Sequence, residues 1–364
     1  MNWWLCVIGL VAACLLAVVL TPLVKKLAFW VGAVDIPNHR SVHSKPMARL
    51  GGLAIFLAFV GAYFIIAPAT QDYDMHVALG MLLGGTIIVL VGALDDRFDL
   101  SPKVKLIGQI AAAAVVVSFG LKVDYLTLPF GDSIDLNNWV SIPITILWIV
   151  GVTNAINLID GLDGLSAGVS GIATATILVL AIMMGNVTVI LLSVVLLGSI
   201  IGFLFYNFHP AKIFMGDSGS LFLGFSLATL SVLGYKSATV VTFLVPIAIL
   251  GVPLGDTFIA IVRRKLHRKP IFTADKGHLH HCLMSLGFSM KKTVLIIYGI
   301  ATLFGICAVL LSQTSQWGTI VVTVIILLIM EVGAEAIGII SKSRKPVLQF
   351  IQRTIAMTRS RASK

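Results

Sequence analysis

Long hydrophobic stretches alternate with short polar segments along the whole chain. Most of these stretches have about 18 or more residues, which allows a helix to cross roughly 30 Å of hydrocarbon. The alternating segments of about ten residues that build a membrane β-barrel do not occur in the sequence. The pattern therefore predicts an all-α integral membrane protein, a bundle of about eleven transmembrane helices. We expect these helices near residues 4–24, 50–68, 77–94, 103–120, 140–157, 164–184, 187–206, 219–234, 238–262, 293–311 and 317–340.

The composition agrees with a helical bundle in lipid. Of the 364 residues, 58% are hydrophobic and 12% are charged, and the mean hydropathy is +1.02. A soluble protein would carry about a quarter of charged residues. The four cysteines, at positions 6, 14, 282 and 307, have neither the spacing of a disulfide framework nor that of a metal site.

The distribution of positive charge predicts the orientation of the bundle. With the N-terminus outside, 24 of the 26 Lys and Arg residues fall in inner segments, and only Lys122 and Lys236 remain outside. An excess of Lys and Arg marks cytoplasmic loops, so the C-terminus is expected in the cytoplasm. Residues 1–341 would form a single polytopic membrane domain, followed by a basic cytoplasmic tail, 342–364. The cytoplasmic loops that carry the candidate site would be 25–49, 95–105, 154–163, 207–218 and 263–292.

The net charge of +10 also raises the question of nucleic-acid binding. However, the positive charge lies in the predicted inner loops, and the chain contains no basic, aromatic-interleaved soluble module. We therefore expect no nucleic-acid partner.

Four unusual polar clusters all fall at predicted inner helix ends, which indicates one active site at the cytoplasmic membrane surface. The clusters are Asp95-Asp96, the series Asn154, Asn157, Asp160 and Asp163, Asp217 between Gly216 and Ser218, and His278, His280 and His281.

The aspartate pair and the Asn/Asp series suggest a site for a cation. Adjacent carboxylates such as Asp95 and Asp96 repel each other, and they require a cation or a shifted pKa unless Arg97 simply neutralises a solvated helix end. Spacing by three residues keeps the Asn154–Asp163 series on neighbouring helix positions. Its hard oxygen ligands suit Mg²⁺. The alternative is a polar seam between helices.

Two further clusters suit an anionic ligand. Asp217 lies among small residues just before a helix, where it would anchor a metal beside an anion site or act as an N-cap. The three histidines follow a strongly basic stretch that begins at Arg263 and matches no zinc motif. A role in holding diphosphate oxygens fits this charge better. The basic stretch itself is also explained by positive-inside topology or by contact with anionic lipid.

Together the motifs closely resemble those of the polyprenyl-phosphate N-acetylhexosamine-1-phosphate transferases, in the same order over roughly residues 20–290. The bacterial undecaprenyl-phosphate GlcNAc-1-phosphate transferases that initiate wall teichoic acid or O-antigen synthesis are the most similar branch. The motifs are Pro37-Asn38-x-Arg40-x-x-His43-x-x-Pro46-x-x-Arg49-x-Gly51-Gly52, Asp95-Asp96, Asn154-Ala-Ile-Asn157-Leu-Ile-Asp160-Gly-Leu-Asp163-Gly, Phe214-Met-Gly-Asp217-Ser-Gly-Ser and His278-Leu-His280-His281.

The resemblance implies a phosphoryl transfer between two anions in the bacterial cytoplasmic membrane. A lipid phosphate would attack the sugar phosphate of UDP-GlcNAc and release UMP, with Mg²⁺ or Mn²⁺ on the diphosphate. The partners would be undecaprenyl phosphate, UDP-GlcNAc and the bilayer, with a homodimer as a possible assembly. The implied residues, by role, are Asp217 and Asn157 for the metal; Asp95, Asp96, Asp160 and Asp163 for catalysis; and Lys105, Asn154, Phe214, His278, His280, His281 and Arg49 for substrate binding.

Two alternatives remain at this point. The peptidoglycan branch of the superfamily transfers phospho-MurNAc-pentapeptide and usually has His-His-His-Phe-Glu in this loop, a pattern that Leu279 and Cys282 interrupt here. A proton-coupled secondary transporter would instead be expected to show broken helices near the midplane and an inverted repeat. The acids at inner helix ends and the lack of an internal sequence repeat favour the enzyme.

Overall fold

The computed structural model describes residues 2–36, 46–127, 133–235, 244–266 and 277–314, together with residues 318, 321, 323 and 324. The described helices are α1 (Trp3–Val31), α2 (Gly51–Ile66), α3 (Met75–Phe98), α4 (Pro102–Ser118), α5 (Asn138–Ile159), α6 (Leu165–Met184), α7 (Val187–Asn207), α8 (Gly216–Tyr235), α9 (Leu244–Ile249), α10 (Gly251–Leu266), α11 (Leu279–Ser285) and α12 (Met290–Gln313). Two short antiparallel pairs join β1 (Val34–Asp35) to β2 (Met47–Ala48) and β3 (Tyr125–Thr127) to β4 (Ser133–Asp135).

The helices confirm an all-α integral membrane protein. Among the described residues, eight helices are long and apolar enough to cross a membrane: α1, α2, α3, α5, α6, α7, α8 and α12. Helix α4 has 17 residues and falls just short of that length. The count of eleven helices and the orientation stay predictions. The predicted last helix, 317–340, lies almost wholly outside the described residues, and the tail 342–364 lies entirely outside them.

The predicted ninth span, 238–262, differs from the structure. Its described part forms two helices, α9 and α10, that meet at Leu250. Pro253 explains this break, because a proline has no N–H with which to continue the hydrogen bonding of the preceding helical turn. The interruption separates α10, which carries Asp256, from α9.

Helix α8 forms the centre of the bundle and packs against α2, α3, α5 and α6. Its residues from Leu221 to Leu230 are almost all fully buried. Close approach depends on glycines on the neighbouring helices. A side chain at Gly52 of α2 would overlap the backbone of Gly219, and one at Gly92 of α3 would overlap the backbone of Ser218. Both contacts hold the first turn of α8 against the ends of its neighbours.

We therefore expect Gly52→Ala to destabilise the bundle strongly. The added methyl group would meet rigid backbone, and overpacking of this kind typically costs about 1–3 kcal/mol. Gly151→Ala is the matched control, since a Cβ there meets nothing within 4 Å and alanine favours a helix interior. Thermal unfolding in detergent measures both variants. Equal melting temperatures for Gly52→Ala and the wild type would contradict this account of the packing.

Candidate active site

Lys105 lies between two carboxylates where α3, α4 and α8 meet. Its Nζ donates to Asp95 Oδ2 at 2.7 Å and to Asp217 Oδ2 at 2.8 Å. The other Asp95 oxygen accepts from the backbone N–H of Leu100 at 2.7 Å, which fixes the end of α3. The Lys105 ammonium thus links Asp95 and Asp217, which are 122 positions apart in the sequence. The structure therefore brings together Asp95, Lys105 and Asp217.

Asp96 has a different environment from its neighbour. Its carboxylate accepts the backbone N–H groups of Asp217 at 2.8 Å and of Ser218 at 3.0 Å, so it caps the start of α8 from the neighbouring helix. Arg49 Nε lies 3.9 Å from the same carboxylate, whose side chain is fully buried. Because Asp96 satisfies this helix end, the Asp217 side chain is directed to Lys105 and Asn157 instead. The N-cap alternative for Asp217 therefore does not describe the structure.

Asn157 completes this group, which we call the aspartate cluster: Asp95, Asp96, Lys105, Asn157 and Asp217. The Asn157 amide nitrogen donates to Asp217 Oδ1 at 3.1 Å and to Ser220 Oγ at 2.8 Å. The side chains of Lys105 and Asp217 are 26% and 17% exposed, so the cluster reaches solvent. Carboxylate and amide oxygens at a partly exposed helix end are suitable donors for Mg²⁺.

The described residues contain no group of three His, Cys, Asp or Glu side chains placed to hold a metal ion on their own. Magnesium usually keeps several waters and binds through one or two carboxylates and the phosphates of a substrate. Asp217 with Asn157 fits such a partial ligand set.

Asp160 and Asp163 both follow α5, but they face different surroundings. The pKa of Asp160 is raised to about 8, first by burial and then by the nearby charges of Asp217 and Asp96, while Arg49 acts in the opposite direction. Asp160 therefore borders the aspartate cluster. Asp163 instead pairs with His209 Nδ1 at 2.9 Å and accepts the N–H of Ala211 at 3.1 Å. These contacts hold the loop between α7 and α8.

Asn154 lies one turn below Asn157 in the seam between α4 and α5. Its amide nitrogen donates to Gln109 Oε1 at 2.6 Å and to the Val150 carbonyl at 2.8 Å. The Gln109 amide nitrogen in turn donates to the Asn154 side-chain oxygen at 3.3 Å. This amide pair fixes α4 against α5 below the cluster. For Asn154, the structure therefore agrees with the alternative of a polar seam between helices.

Arg49 and Phe214 belong to two segments that pair through their backbones. The Phe214 N–H donates to the Ala48 carbonyl at 2.9 Å, and the Gly51 N–H donates to the Phe214 carbonyl at 3.1 Å. This pairing brings Arg49 to the rim of the cluster, 4.0 Å from the exposed Asp99. Four earlier residues of the same motif, Pro37, Asn38, Arg40 and His43, lie outside the described residues.

The three histidines have three different environments. His278 is buried, with its Nδ1 2.8 Å from Asp256 Oδ2. His280 is buried against the turn at Gly161, where burial and then its histidine neighbours lower its pKa to about 4. His281 is exposed, with its ring centroid 4.2 Å from that of His280. At neutral pH His280 is therefore an uncharged side chain, while His281 faces solvent.

Sequence reasoning missed Asp256, Gln109 and His209, which hold the predicted residues in place. Asp256 offered a usable signal, since an acid inside a predicted apolar span is a candidate functional residue by default. Gln109 offered a weaker signal of the same kind. His209 offered none, because a single histidine in a short loop is common.

Comparison with known proteins places this geometry in a family. The profile of glycosyl transferase family 4 matches residues 78–235, which include the whole aspartate cluster. A Bacillus subtilis protein, the probable undecaprenyl-phosphate N-acetylglucosaminyl 1-phosphate transferase, is 45% identical over 96% of this chain and 97% of its own.

More distant relatives carry related names. The decaprenyl-phosphate N-acetylglucosaminephosphotransferase of Mycobacterium tuberculosis is 38% identical over 81% of this chain and 79% of its own. The undecaprenyl-phosphate alpha-N-acetylglucosaminyl 1-phosphate transferase of Yersinia pestis is 27% identical over 80% of this chain and 81% of its own. The near full-length match to the Bacillus protein and the family profile over the cluster agree. The chain therefore belongs to the polyprenyl-phosphate N-acetylglucosamine-1-phosphate transferases of glycosyl transferase family 4.

Proposed function

We propose that this protein transfers GlcNAc-1-phosphate from UDP-GlcNAc to undecaprenyl phosphate, with release of UMP. The observation that carries the proposal is the aspartate cluster at one end of the bundle, in a chain that is 45% identical to a relative named for this reaction. The product would be undecaprenyl-diphosphate-GlcNAc, the first membrane intermediate of a cell-envelope polymer. A lipid substrate suits a site formed where membrane helices end.

The chemistry brings two anions together, so catalysis would depend on neutralising charge and on positioning. Lys105 would bind the lipid phosphate, because its side chain lies in the first turn of α4 at the same end of the bundle and is only 26% exposed. Asp95 forms an ion pair with the same Lys105 ammonium and would orient or deprotonate the lipid phosphate. Arg49, at the rim beside Asp96, adds a second cation for the donor.

Magnesium is the proposed cofactor, with manganese as a substitute. When bound, the ion would neutralise the donor diphosphate and stabilise the charge that develops on its oxygens. Asp217 and Asn157 would hold it, Asp217 through a carboxylate oxygen and Asn157 through its amide oxygen. The two side chains are adjacent, with the Asn157 amide nitrogen 3.1 Å from Asp217 Oδ1. Phe214 and His281 remain candidates for contacts with the uridine and the phosphates.

We place the active site on the cytoplasmic face of the bacterial plasma membrane. The C-terminal ends of α3 and α5 and the N-terminal ends of α4 and α8 all contribute to the cluster, so the site lies at one end of the bundle. The positive-inside rule supports a cytoplasmic location for that end, because the predicted inner segments hold 24 of the 26 Lys and Arg residues of the sequence. A UDP-sugar made in the cytoplasm would reach it directly.

Purified protein in detergent, incubated with radiolabelled UDP-GlcNAc, undecaprenyl phosphate and Mg²⁺, tests the reaction. Formation of a labelled lipid together with UMP supports it. Parallel incubations with UDP-MurNAc-pentapeptide test the peptidoglycan alternative with the same readout. The proposal fails if the protein transfers phospho-MurNAc-pentapeptide and leaves UDP-GlcNAc intact.

A further inference from the structure

Asp256 is a buried acid that the proposed reaction does not use. It lies on α10, is 6% exposed, and faces the start of α11. One carboxylate oxygen lies 2.8 Å from His278 Nδ1, and the other accepts the backbone N–H of Leu279 at 2.8 Å. Both oxygens of one carboxylate are therefore used to hold the beginning of the histidine segment, His278 to His281.

The contact with Nδ1 determines which form of the His278 ring is present. A carboxylate accepts a proton-bearing nitrogen, so Nδ1 carries hydrogen and Nε2 is left on the opposite side of the ring for another partner. Such carboxylate–histidine pairs fix the tautomer and the orientation of a ring. Where the ring is a metal ligand, loss of the pair typically costs about 10–100-fold in affinity or activity, and we expect an effect of that size for His278.

The histidine segment connects this pair to the aspartate cluster. The rings of His278 and His280 are parallel within 3°, with centroids 6.0 Å apart. The far side of His280 abuts the turn after α5, where a methyl group at Gly161 would lie 2.7 Å from His280 Nε2. The residue before that glycine is Asp160, whose pKa responds to Asp217 and Asp96. A displacement of His278 would thus be passed to the border of the cluster.

We propose that Asp256 is a positioning residue for the histidine segment: it holds His278 in the Nδ1–H form and thereby keeps His280 packed against the Asp160–Gly161 turn. The role would be to hold the histidine segment in a fixed position relative to Asp217 and Asn157, where UDP-GlcNAc would bind. Its kinetic consequence rests on the proposed transfer reaction, whereas its structural consequence for His278 does not.

Asp256→Asn is the main test, because it keeps the shape but removes the charge and leaves an oxygen for only one of the two donors. The protein is labelled with ¹⁵N-histidine, and the His278 ring signals are assigned by their loss in His278→Gln. In the wild type we expect protonation at Nδ1, and in Asp256→Asn a loss of that preference. The KM for UDP-GlcNAc is expected to rise about 10–100-fold, with kcat changed less than about threefold.

Three further variants separate positioning from a loss of folding. Asp256→Glu restores the charge and should recover part of the donor KM. Gly161→Ala displaces His280 without touching Asp256, so it should raise the donor KM and leave the His278 tautomer unchanged. Asp72→Asn is the control. Asp72 is an exposed acid with φ of 60°, a conformation that asparagine also tolerates, and this change should alter neither readout.

Two results would overturn the proposal. One is a folded Asp256→Asn protein in which His278 keeps its Nδ1 proton and the donor KM stays within about twofold of the wild type. The other is a donor KM that Gly161→Ala leaves unchanged, because the segment would then not be coupled to the cluster. If the wild type does not use UDP-GlcNAc at all, the proposed reaction fails, and the His278 tautomer alone then supports or overturns the role of Asp256.

Discussion

Asp217→Asn is expected to lower the rate of GlcNAc-1-phosphate transfer by about 10²–10³-fold, the effect of removing one preorganised electrostatic group from a site of this kind. Asparagine keeps the size of the side chain but replaces one carboxylate oxygen with an NH₂ group. The side chain then no longer offers a negative charge to the Lys105 ammonium, which lies 2.8 Å from Asp217 Oδ2. The negative charge that would hold Mg²⁺ beside Asn157 is lost as well. The fold should persist, since Asp96 bonds the backbone N–H of residue 217 and not its side chain.

The measurement is UMP release at increasing Mg²⁺ concentration for the wild type and for Asp217→Asn, with Asp72→Asn as an exposed-acid control. Wild-type transfer should stop in excess EDTA and return when Mg²⁺ or Mn²⁺ is added. The variant should need more metal to reach half of its own reduced maximum. Wild-type turnover in excess EDTA, or an unchanged metal response in the variant, would contradict the assignment of Asp217.

The helical bundle was predictable because each span is long and apolar enough to be recognised by itself. Spans predicted at 164–184 and 187–206 correspond to α6 and α7 almost residue for residue. Helix α1 extends past its predicted end at residue 24 to Val31, because Lys25 and Lys26 are good helix formers that continue the helix beyond the apolar stretch. The turn at Leu250 was missed since hydropathy does not register a missing N–H at Pro253.

The meeting of Asp95, Lys105, Asn157 and Asp217 at one end of the bundle also agrees with the sequence interpretation. It follows from counting spans, because alternate helix ends share a side of the membrane. The partner of each polar residue does not follow from counting. Spacing places Asn154 and Asn157 on neighbouring positions of α5. Their partners depend on how α5 packs against α4 and α8: Asn154 bonds Gln109 of α4, and Asn157 bonds Asp217 of α8.

The same limit applies to the carboxylates after α5. Asp160 and Asp163 are both acids of one motif, yet the turn at Gly161 directs one to the cluster and the other to His209. Sequence therefore predicted that polar residues of these motifs meet at one end of the bundle. It did not separate the residues that border the cluster from those that hold its loops, because that distinction arises only when helices pack.

Asp95→Asn and Asp96→Asn are expected to fail in different ways, although the two residues are adjacent. The Asp96 side chain is completely buried and accepts two backbone N–H groups of α8. Asparagine has a single side-chain oxygen, so one N–H would face an amide nitrogen and stay unpaired, at a cost of about 1–3 kcal/mol. The Asp96 variant should therefore unfold at a lower temperature, and part of its lost activity should reflect a displaced α8.

Within the described part of the chain, the Asp95 side chain accepts one backbone N–H, that of Leu100, and asparagine can keep this bond. What asparagine removes is the ion pair with Lys105 at 2.7 Å. If Asp95 accepts the proton of the lipid phosphate that binds this lysine, kcat should fall about 10²–10⁴-fold, the usual contribution of a placed base. UDP-GlcNAc affinity should hardly change, since the donor would be bound by Asp217, Asn157 and the histidine segment.

Steady-state transfer, calorimetric binding of UDP-GlcNAc and thermal unfolding are to be measured on both variants under identical detergent conditions. A loss of kcat with normal stability in Asp95→Asn, beside a loss of stability in Asp96→Asn, assigns the chemistry to the first residue and the helix cap to the second. A higher donor KM in Asp95→Asn would instead indicate a binding role, because removing a ground-state contact raises KM and leaves kcat alone. If both variants keep the wild-type kcat, the pair is structural, and the proton on the lipid phosphate must leave by a route that does not involve these two carboxylates.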